Sequence, residues 1–443
     1  MTAPLIVFNV AALSPDYLEN TDRLPTFHRL LKNGKSARLT PVFPALTLPA
    51  QSSLATGTYP NAHGIVANGF FSRERLEVSF WDQYRSLVNG TPFWERVKQQ
   101  RPDITTAVLF WQNSLYGQAD IIMTPKPIHG HHGMIQWCYS KPVGLYEQVV
   151  EEIGPFDLFH YWGPFASPKS SRWIVDAAIS VMRRHRPDVM MIYLPLLDYA
   201  SQKYGPNDPA VYRDLEIIDE LIGKFLYDVK DAATDDEATV VVLSEYSLSA
   251  VSGHVAINNA LRDNGFLAVR EIEGREYLDV EMSGAFAMVD HQIAHVYCRN
   301  EAVGPVKALL SAIDGVDIVL DRAAQAAFHI DHPRSGELVA LAAANRWFSY
   351  YWWTDADKAP DFADTVDIHR KPGYDPLELF LEEGRMAISQ DTTLIKGSHG
   401  LAGRDHDPAA VFIVSGKGAA SVNPAPIISM VDVAPMLERL ILS

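Results

Sequence analysis

The residue best placed for chemistry is Thr47, a hydroxyl at the point where an extended segment gives way to a helical one. It lies in the stretch from Pro44 to Gly57. Free backbone N–H groups and the helix dipole at the start of a helix favour an anion, so a hydroxyl at this position is suited to attack phosphorus. The structural alternative is that a Thr close to a Pro simply caps a helix or forms a turn.

Further polar residues follow short apolar runs. Asp198 comes shortly after the run from Val189 to Leu194, and Glu245 comes shortly after the run from Thr239 to Leu243. If these runs are parallel strands, their carboxyl ends meet at one edge of the sheet, where reactive groups of such folds gather. We therefore expect chemistry at the residues that follow the strands.

The alternation of short apolar runs with amphipathic stretches predicts an α/β fold with a mostly parallel central sheet and helices on both faces. The expected strands are Leu5 to Val10, Thr106 to Phe110, Val189 to Leu194, Thr239 to Leu243, Leu338 to Ala343 and Val411 to Val414. The expected helices include Arg23 to Leu31, Ser171 to Arg184, Ala210 to Val229 and Val255 to Asp263.

Two stretches interrupt this rhythm. Residues 116–168 are rich in Pro, Gly, His and aromatic residues, and residues 271–331 include a hairpin-like pattern. We interpret residues 1–443 as a single catalytic domain in which these two segments are insertions that cap the site. The chain has no internal repeat.

The composition excludes several classes of protein. The chain has 443 residues and a formal charge of -16, which disfavours a nucleic-acid partner because phosphate backbones are bound by Lys and Arg. Its two cysteines do not make a disulfide framework or a thiolate zinc site. No apolar run approaches the length of about 18 residues that a membrane span needs, and the apolar start has no preceding Lys or Arg. We therefore expect a cytoplasmic protein without a membrane partner.

Several motifs occur in an order that resembles one family. After Thr47 comes the stretch Thr56 to Ile65, which reads TG-x-x-P-x-x-HGI. The other motifs, in chain order, are Ser14 to Leu18, Leu194 to Asp198, Leu243 to Tyr246, His332 to Val339, Gly397 to Gly400 and Val431 to Pro435. Together they resemble the alkaline phosphatase superfamily, in particular the type I phosphodiesterase/nucleotide pyrophosphatase family. This resemblance covers essentially the whole chain and implies an alkaline-phosphatase-like fold.

The resemblance implies a pair of zinc ions that clamp the attacking and leaving oxygens, with Thr47 as the nucleophile. Six further positions hold the ions in the family, and here they fall on Ala11, Asp198, Gln202, Glu245, Tyr246 and His399. Only Asp198, Glu245 and His399 keep residues that commonly bind metals. We therefore expect one divalent ion rather than two at these three residues, with Zn²⁺ favoured and Mn²⁺ or Mg²⁺ as alternatives. Gln202 and Tyr246 are weaker candidates.

Other departures from the family concern the substrate. The phosphate-contacting Asn of the family is replaced by Ala50, and the aromatic residue after the nucleophile is replaced by Leu48. Nucleotide specificity is therefore not implied. Asn9 lies two residues before Ala11, on the same face of the first strand, and is a candidate replacement for the lost carboxylate.

Four other residues are candidates for the site, each with a structural alternative. Asp367 and His369 alternate on an extended segment and either touch a metal or phosphate or form a salt-bridged loop. Lys371 is a candidate for neutralising a phosphate oxygen, and His254 is a candidate that faces the site from the start of a helix. Asp290, His291 and His295 form a separate group of residues that we interpret as a polar network in a hairpin.

These residues support a metal-dependent hydrolase that acts through Thr47 on a phosphate ester or pyrophosphate, with a small phosphorylated substrate. The first alternative is a degenerate member that binds a phosphorylated metabolite or partner without turnover. The second is an enzyme of the same fold with altered phosphoryl chemistry that uses Lys371 or His369. The sequence does not indicate an oligomeric state.

Overall fold

A computed structural model describes residues 3–131, 133–230, 238–404 and 406–442 of the chain. The strands, in chain order, are β1 (Leu5–Val10), β2 (Gly34–Thr40), β3 (Gly69–Ser72), β4 (Glu77–Phe80), β5 (Thr106–Leu109), β6 (Ile121–Pro125), β7 (Ile128–Gly130), β8 (Gly133–Ile135), β9 (Cys138–Lys141), β10 (Val189–Leu194), β11 (Thr239–Leu243), β12 (Ser249–Ala250), β13 (Gly253–Ala256), β14 (Ala268–Ile272), β15 (Arg275–Asp279), β16 (Ala285–Asp290), β17 (Ile293–Cys298), β18 (Val316–Leu320), β19 (Leu338–Ala342), β20 (Arg346–Ser349), β21 (Gly397–Ser398), β22 (Ala410–Gly416) and β23 (Ile427–Ser429).

The α-helices, in chain order, are α1 (Pro25–Lys32), α2 (Thr47–Thr56), α3 (Pro60–His63), α4 (Phe93–Gln100), α5 (Leu145–Ile153), α6 (Pro168–His185), α7 (Leu196–Tyr204), α8 (Pro209–Asp228), α9 (Ile257–Asp263), α10 (Val303–Ser311), α11 (Arg322–Ala327) and α12 (Val433–Leu442). Side-chain oxygens cap the starts of α8 and α11. At the start of α8, for example, the Asp208 carboxylate accepts the N–H of Ala210 at 2.8 Å, and Pro209 fills the first helical position.

A large sheet of the described chain has the strand order β23-β2-β22-β11-β1-β10-β5-β6-β9. β1 pairs in parallel with β10 and β11, and parallel pairing continues through β5 to β6. Antiparallel pairs join β22 to β11 and to β2, and β6 to β9. The prediction of a mostly parallel central sheet is therefore confirmed.

Both faces of this sheet are covered by helices, as the near-continuous apolar strands require. On β1, Ile6 and Phe8 contribute to one buried cluster, whereas Leu5 and Val7 contribute to the other. The first cluster includes residues of α6 and α8, and the second includes residues of α2, α4 and α12. Asn9 continues the second series, so its side chain points to the face that α2 covers.

The two segments that interrupt the sequence pattern contribute different structures. Residues 116–168 add β6 and β9 to the edge of the large sheet, together with the β7–β8 hairpin and α5. Residues 271–331 supply β16, β17 and β18 to a four-stranded antiparallel sheet that β19 completes. The run at Leu338–Ala342 therefore belongs to this second sheet and not to the central one. That either segment caps a site stays a prediction.

No helix in the described ranges is long and apolar enough to cross a membrane.

Gly397 allows strand β21 to pack closely against helix α7. A Cβ atom added at Gly397 would lie 2.1 Å from the carbonyl oxygen of Ser201, far inside contact distance. Only glycine lets the segment that carries His399 approach α7, the helix that carries Asp198.

We expect Gly397→Ala to lower the free energy of unfolding by about 1–3 kcal/mol, the usual effect of overpacking a filled interior. The matched control is Gly304→Ala in α10, where an added Cβ meets no atom within 4 Å. That change should be neutral or should stabilise by up to about 1 kcal/mol, since glycine weakens helices. Urea unfolding of both variants checks the prediction, and equal stability of the two would contradict it.

Candidate functional site

The predicted nucleophile is the first residue of helix α2. Thr47 is 4% exposed and follows Leu46, whose backbone is extended. The N–H of Leu48 donates to Asn68 Oδ1 at 2.9 Å, Pro49 has no N–H, and the N–H of Ala50 donates to Leu46 O at 2.9 Å. Within the described part of the chain, the N–H of Thr47 itself forms no hydrogen bond, so it is available at this helix end.

The Thr47 hydroxyl contacts a phenol. Its Oγ1 lies 3.1 Å from the hydroxyl oxygen of Tyr246, a hydrogen bond in which either group can be the donor. The Tyr246 ring is fully buried and stacks on the imidazole of His399, with ring centroids 3.7 Å apart and planes 9° apart. Burial raises the pKa of Tyr246 well above its usual value, so the phenol carries its proton.

Glu245 lies beyond the carboxyl end of β11 and precedes Tyr246 in the chain. Its Oε1 accepts hydrogen bonds from Asn9 Nδ2 at 2.7 Å and from Gln51 Nε2. Its Oε2 is buried without a hydrogen-bond partner among the described residues. Burial raises the pKa of this carboxyl to about 8, and the amides of Gln51 and Asn9 oppose that shift, as does the Thr47 hydroxyl.

Asp198 follows β10 and lies in the first turn of α7. Its Oδ2 accepts a hydrogen bond from Gln202 Nε2, four residues later, at 2.6 Å. The Gln202 Oε1 in turn accepts from the Tyr374 hydroxyl at 2.9 Å. The second oxygen of Asp198, Oδ1, has no partner in the described ranges, and burial raises the pKa of this carboxyl to about 7.

His399 is held by the backbone before α2. Its Nδ1 lies 2.7 Å from Ala45 O, and because a carbonyl accepts, Nδ1 carries the proton. Burial lowers the pKa of His399 well below its usual value, so the ring is neutral and its Nε2 is unprotonated. That Nε2 lies 3.8 Å from Asp198 Oδ1, which is beyond hydrogen-bond distance.

Four aromatic rings form a row beside the two carboxylates. The Tyr246 and His399 rings are followed by His291, whose centroid lies 3.9 Å from that of His399, and by Tyr374, 3.7 Å further on. His291 Nδ1 lies 2.7 Å from Asp290 Oδ1. Asp290 also accepts the backbone N–H of Asn68 at 2.8 Å. The hairpin network predicted around Asp290 and His291 therefore lies against the site through ring contact.

The structure brings together Thr47, Asp198, Glu245, His399, Asn9, Gln202 and Tyr246. The other candidates have different partners. His254 packs near the Trp347 ring, His369 Nδ1 contacts Phe80 O at 3.1 Å, and Asp367 accepts from Arg370.

Lys371 is the clearest departure from expectation. It is 1% exposed, and its Nζ lies 2.8 Å from Asp375 Oδ2 and 2.9 Å from Glu378 Oε1. Two carboxylates therefore already neutralise the ammonium group, which is not free to neutralise a phosphate oxygen. These three buried charged groups form a structural ion network within the segment that also carries Tyr374.

Sequence reasoning missed Gln51 and Tyr374 as members of the site. Gln51 lies one helical turn after Thr47, so an amide on the same face of α2 was a signal that could have been read. Tyr374 gave no such signal, because its contact with Gln202 joins segments that lie 172 residues apart.

The side chains present do not fit the metal centre that the resemblance implies. In the residues the structure describes, no three His, Cys, Asp or Glu side chains form a group that could hold a metal ion. Catalytic zinc sites take three protein ligands, whereas among the three expected ligands, all within the described ranges, the close approach is that of Asp198 Oδ1 to His399 Nε2, at 3.8 Å. The third position is Gln202, which turns its N–H group toward Asp198. The expected ion at Asp198, Glu245 and His399 therefore has no matching donor set.

Comparison with known proteins gives an independent result. The family model described as type I phosphodiesterase/nucleotide pyrophosphatase matches residues 5–375. Curated relatives include a venom phosphodiesterase of Crotalus adamanteus, 24% identical over 257 residues that make up 56% of this chain and 27% of that protein. Human ectonucleotide pyrophosphatase/phosphodiesterase family member 1 is 22% identical over 59% of this chain and 25% of its own length. The chain thus spans about a quarter of the length of these relatives.

Solved structures share the fold over nearly the whole chain. Phosphonoacetate hydrolase from Sinorhizobium meliloti 1021, in complex with phosphonoformate, gives a TM-score of 0.63 at 16% identity and covers 99% of this chain and 95% of its own. Murine ectonucleotide pyrophosphatase/phosphodiesterase 5 gives a TM-score of 0.62 at 16% identity, with 100% and 95% covered. The predicted alkaline-phosphatase-like fold is confirmed.

The burial of Asp198 predicts a pH-dependent stability. Because its pKa in the fold is about 7 and that of an unfolded aspartate is about 4, the folded state binds the extra proton between these values. Stability should therefore fall as pH rises through this window. Asp198→Asn removes the titration and should stabilise the fold above pH 7, by about 2–4 kcal/mol, with little effect near pH 4.

Thermal unfolding at both pH values checks this prediction. The control is Asp22→Asn, which changes an exposed aspartate. Its melting temperature should differ from that of the wild type by the same amount at both pH values. A melting-temperature difference between Asp198→Asn and the wild type that does not change with pH would contradict the account.

Proposed function

The chain belongs to the type I phosphodiesterase/nucleotide pyrophosphatase family, and from that premise we propose that it hydrolyses phosphate esters or pyrophosphates with Thr47 as the nucleophile. One observation carries the proposal. The Thr47 hydroxyl stands at the buried start of α2, near enough to the Glu245 carboxyl to lower its pKa, and Glu245 Oε2 has no hydrogen-bond partner among the described residues. A nucleophile, a proton acceptor and a free helix N–H therefore share one place.

The proposed step uses only side chains of this chain. Thr47 Oγ attacks phosphorus while its proton passes to Glu245 Oε2, and the bond between phosphorus and the leaving oxygen breaks. The leaving oxygen keeps the bonding electrons and takes a proton from solvent. Water then attacks the phosphorus of the phosphothreonine and loses one proton to solvent, and the bond between phosphorus and Thr47 Oγ breaks. Glu245 returns its proton to Thr47 Oγ, which restores both side chains, and the phosphoryl group leaves as phosphate or a phosphate monoester.

The divalent metal expected from the family resemblance is not assigned a step, because the donor set around Asp198 and His399 does not fit it. The proposed substrate is a small phosphorylated molecule. Leu48 stands where the resemblance implies an aromatic residue. It is fully buried in a cluster with Ile65 and Val88, so it gives no indication of a nucleotide base in the substrate. A cytoplasmic location also stays a prediction.

A second candidate function is binding of a phosphorylated ligand without turnover. The hydrogen bond between Thr47 and Tyr246 favours it, because a phenol that retains its proton does not activate the hydroxyl. Glu245 favours hydrolysis, because an ionised carboxylate next to the same hydroxyl can accept its proton.

We expect Thr47→Ala to lower kcat/KM for nitrophenyl phosphate esters by about 1000-fold or more. Glu245→Gln keeps the shape of the side chain but cannot accept the proton, and should cost about 100- to 10,000-fold. Because only ionised Glu245 serves as the acceptor, the rate of the wild type should rise as pH increases through about 8. Initial rates of nitrophenol release measure the effect of both substitutions and the pH dependence of the wild type. They are measured once with zinc chloride and once with chelator.

The control is Thr56→Ala at the far end of α2, where the hydroxyl donates to Ser52 O at 2.7 Å, and its activity should match the wild type. Full activity of Thr47→Ala would refute the nucleophile. If the wild type turns over neither mono- nor diesters but binds inorganic phosphate in a calorimeter, the binding function replaces hydrolysis.

A further inference from the structure

We infer that hydrogen-bond donors of this chain take the places of the two metal ions implied by the family resemblance, so that the site around Thr47 holds no tightly bound divalent metal. The inference concerns the site of the proposed hydrolysis, but metal content can be measured whether or not the chain turns over a substrate. It rests on the contacts of the two buried carboxylates, on the position of Tyr246 and on the packing of Ala11.

The first replacement consists of the hydrogen-bond donors next to Glu245. A carboxylate buried at 0% exposure needs either a cation or hydrogen-bond donors close to it. Here the donors are the amide groups of Asn9 and Gln51, both directed at Oε1. An amide N–H carries a partial positive charge, so these two groups supply part of the stabilisation that a cation would give and also repel a cation from that oxygen.

The second replacement is the hydrogen-bond donor next to Asp198. The Gln202 amide is turned so that its N–H group faces the carboxylate and its oxygen faces away. The Tyr374 hydroxyl donates to the Gln202 oxygen at 2.9 Å, which matches this orientation. Gln202 is thus held as a donor toward Asp198, whereas a metal ligand would have to present its oxygen.

The third replacement is steric. The Tyr246 ring lies flat on His399 and places its hydroxyl 3.1 Å from Thr47 Oγ1, so a phenol already occupies a place next to the nucleophile. A phenol is a poor metal ligand at neutral pH because its ordinary pKa is about 10. At the remaining position, Ala11 is fully buried and offers only a methyl group.

One feature favours a cation, and it is weaker than these three. Asp198 Oδ1, Glu245 Oε2 and Asn9 Oδ1 are buried without partners in the described part of the chain. Three free oxygens can attract one ion, yet each belongs to a side chain that a neighbouring N–H donor already holds or that is itself a donor.

The test is the metal content of the 443-residue wild-type chain. The protein is expressed with added zinc chloride and dialysed without chelator, and its metals are measured by elemental mass spectrometry. We expect zinc, manganese and magnesium contents far below one ion per chain. Titration with zinc chloride in a calorimeter should show no saturable tight site. A near-stoichiometric metal content or one tight zinc site would overturn the inference.

A restored variant provides the positive control. Ala11→Asp, Gln202→His and Tyr246→His together return three ligands to the family's positions, and this protein should retain about two zinc ions per chain, the number in a two-metal site. The matched control is Tyr246→Phe, which keeps the stacked ring and should retain none. Metal in Tyr246→Phe equal to that in the restored variant would contradict the roles assigned to the three replacements.

A chelator experiment separates this inference from the proposed hydrolysis. If the wild type is metal-free and active in chelator, both hold. If it is metal-free and inactive, hydrolysis fails while the metal inference stands. If activity disappears with chelator and returns with zinc, the metal inference fails and hydrolysis stands.

Discussion

Two carboxylates buried at one edge of a parallel sheet form the constraint on which this site depends. Asp198 and Glu245 reach that edge because their strands, β10 and β11, flank β1 in parallel. An ionised carboxylate in such a place is costly unless it is paired or hydrogen-bonded. The chain meets this cost with amide donors and with protonation, which is why burial moves the pKa values of these carboxyls to about 7 and about 8.

The rest of the site follows from how those donors are supplied. Asn9 is on β1 and Gln51 is one turn into α2, so holding Glu245 also fixes α2 on the sheet and Thr47 at its buried end. Gln202 accepts a hydrogen bond from Tyr374, and Tyr374 continues the row of rings that ends at Tyr246. The position of the Thr47 hydroxyl is thus coupled to both carboxylates.

Much of this fold was predictable from the sequence. Buried strands are nearly pure apolar runs, so β1, β10 and β11 have the predicted bounds, and residues after strand ends identify Asp198 and Glu245. Contacts between distant segments were not predictable. Lys371 was a candidate for phosphate binding from its charge alone, but its neutralisation by Asp375 and Glu378 depends on the local fold of that loop. The hydrogen bond from Tyr374 to Gln202 joins segments 172 residues apart, which no spacing rule connects.

The most direct test is a crystal structure of the wild type grown with zinc chloride and orthovanadate, with anomalous data collected at the zinc edge. The account predicts vanadate centred on Thr47 Oγ, with no anomalous zinc peak near Asp198, Glu245 or His399. A zinc peak within bonding distance of Asp198 Oδ1 and His399 Nε2, or of Glu245 and Thr47, would contradict it.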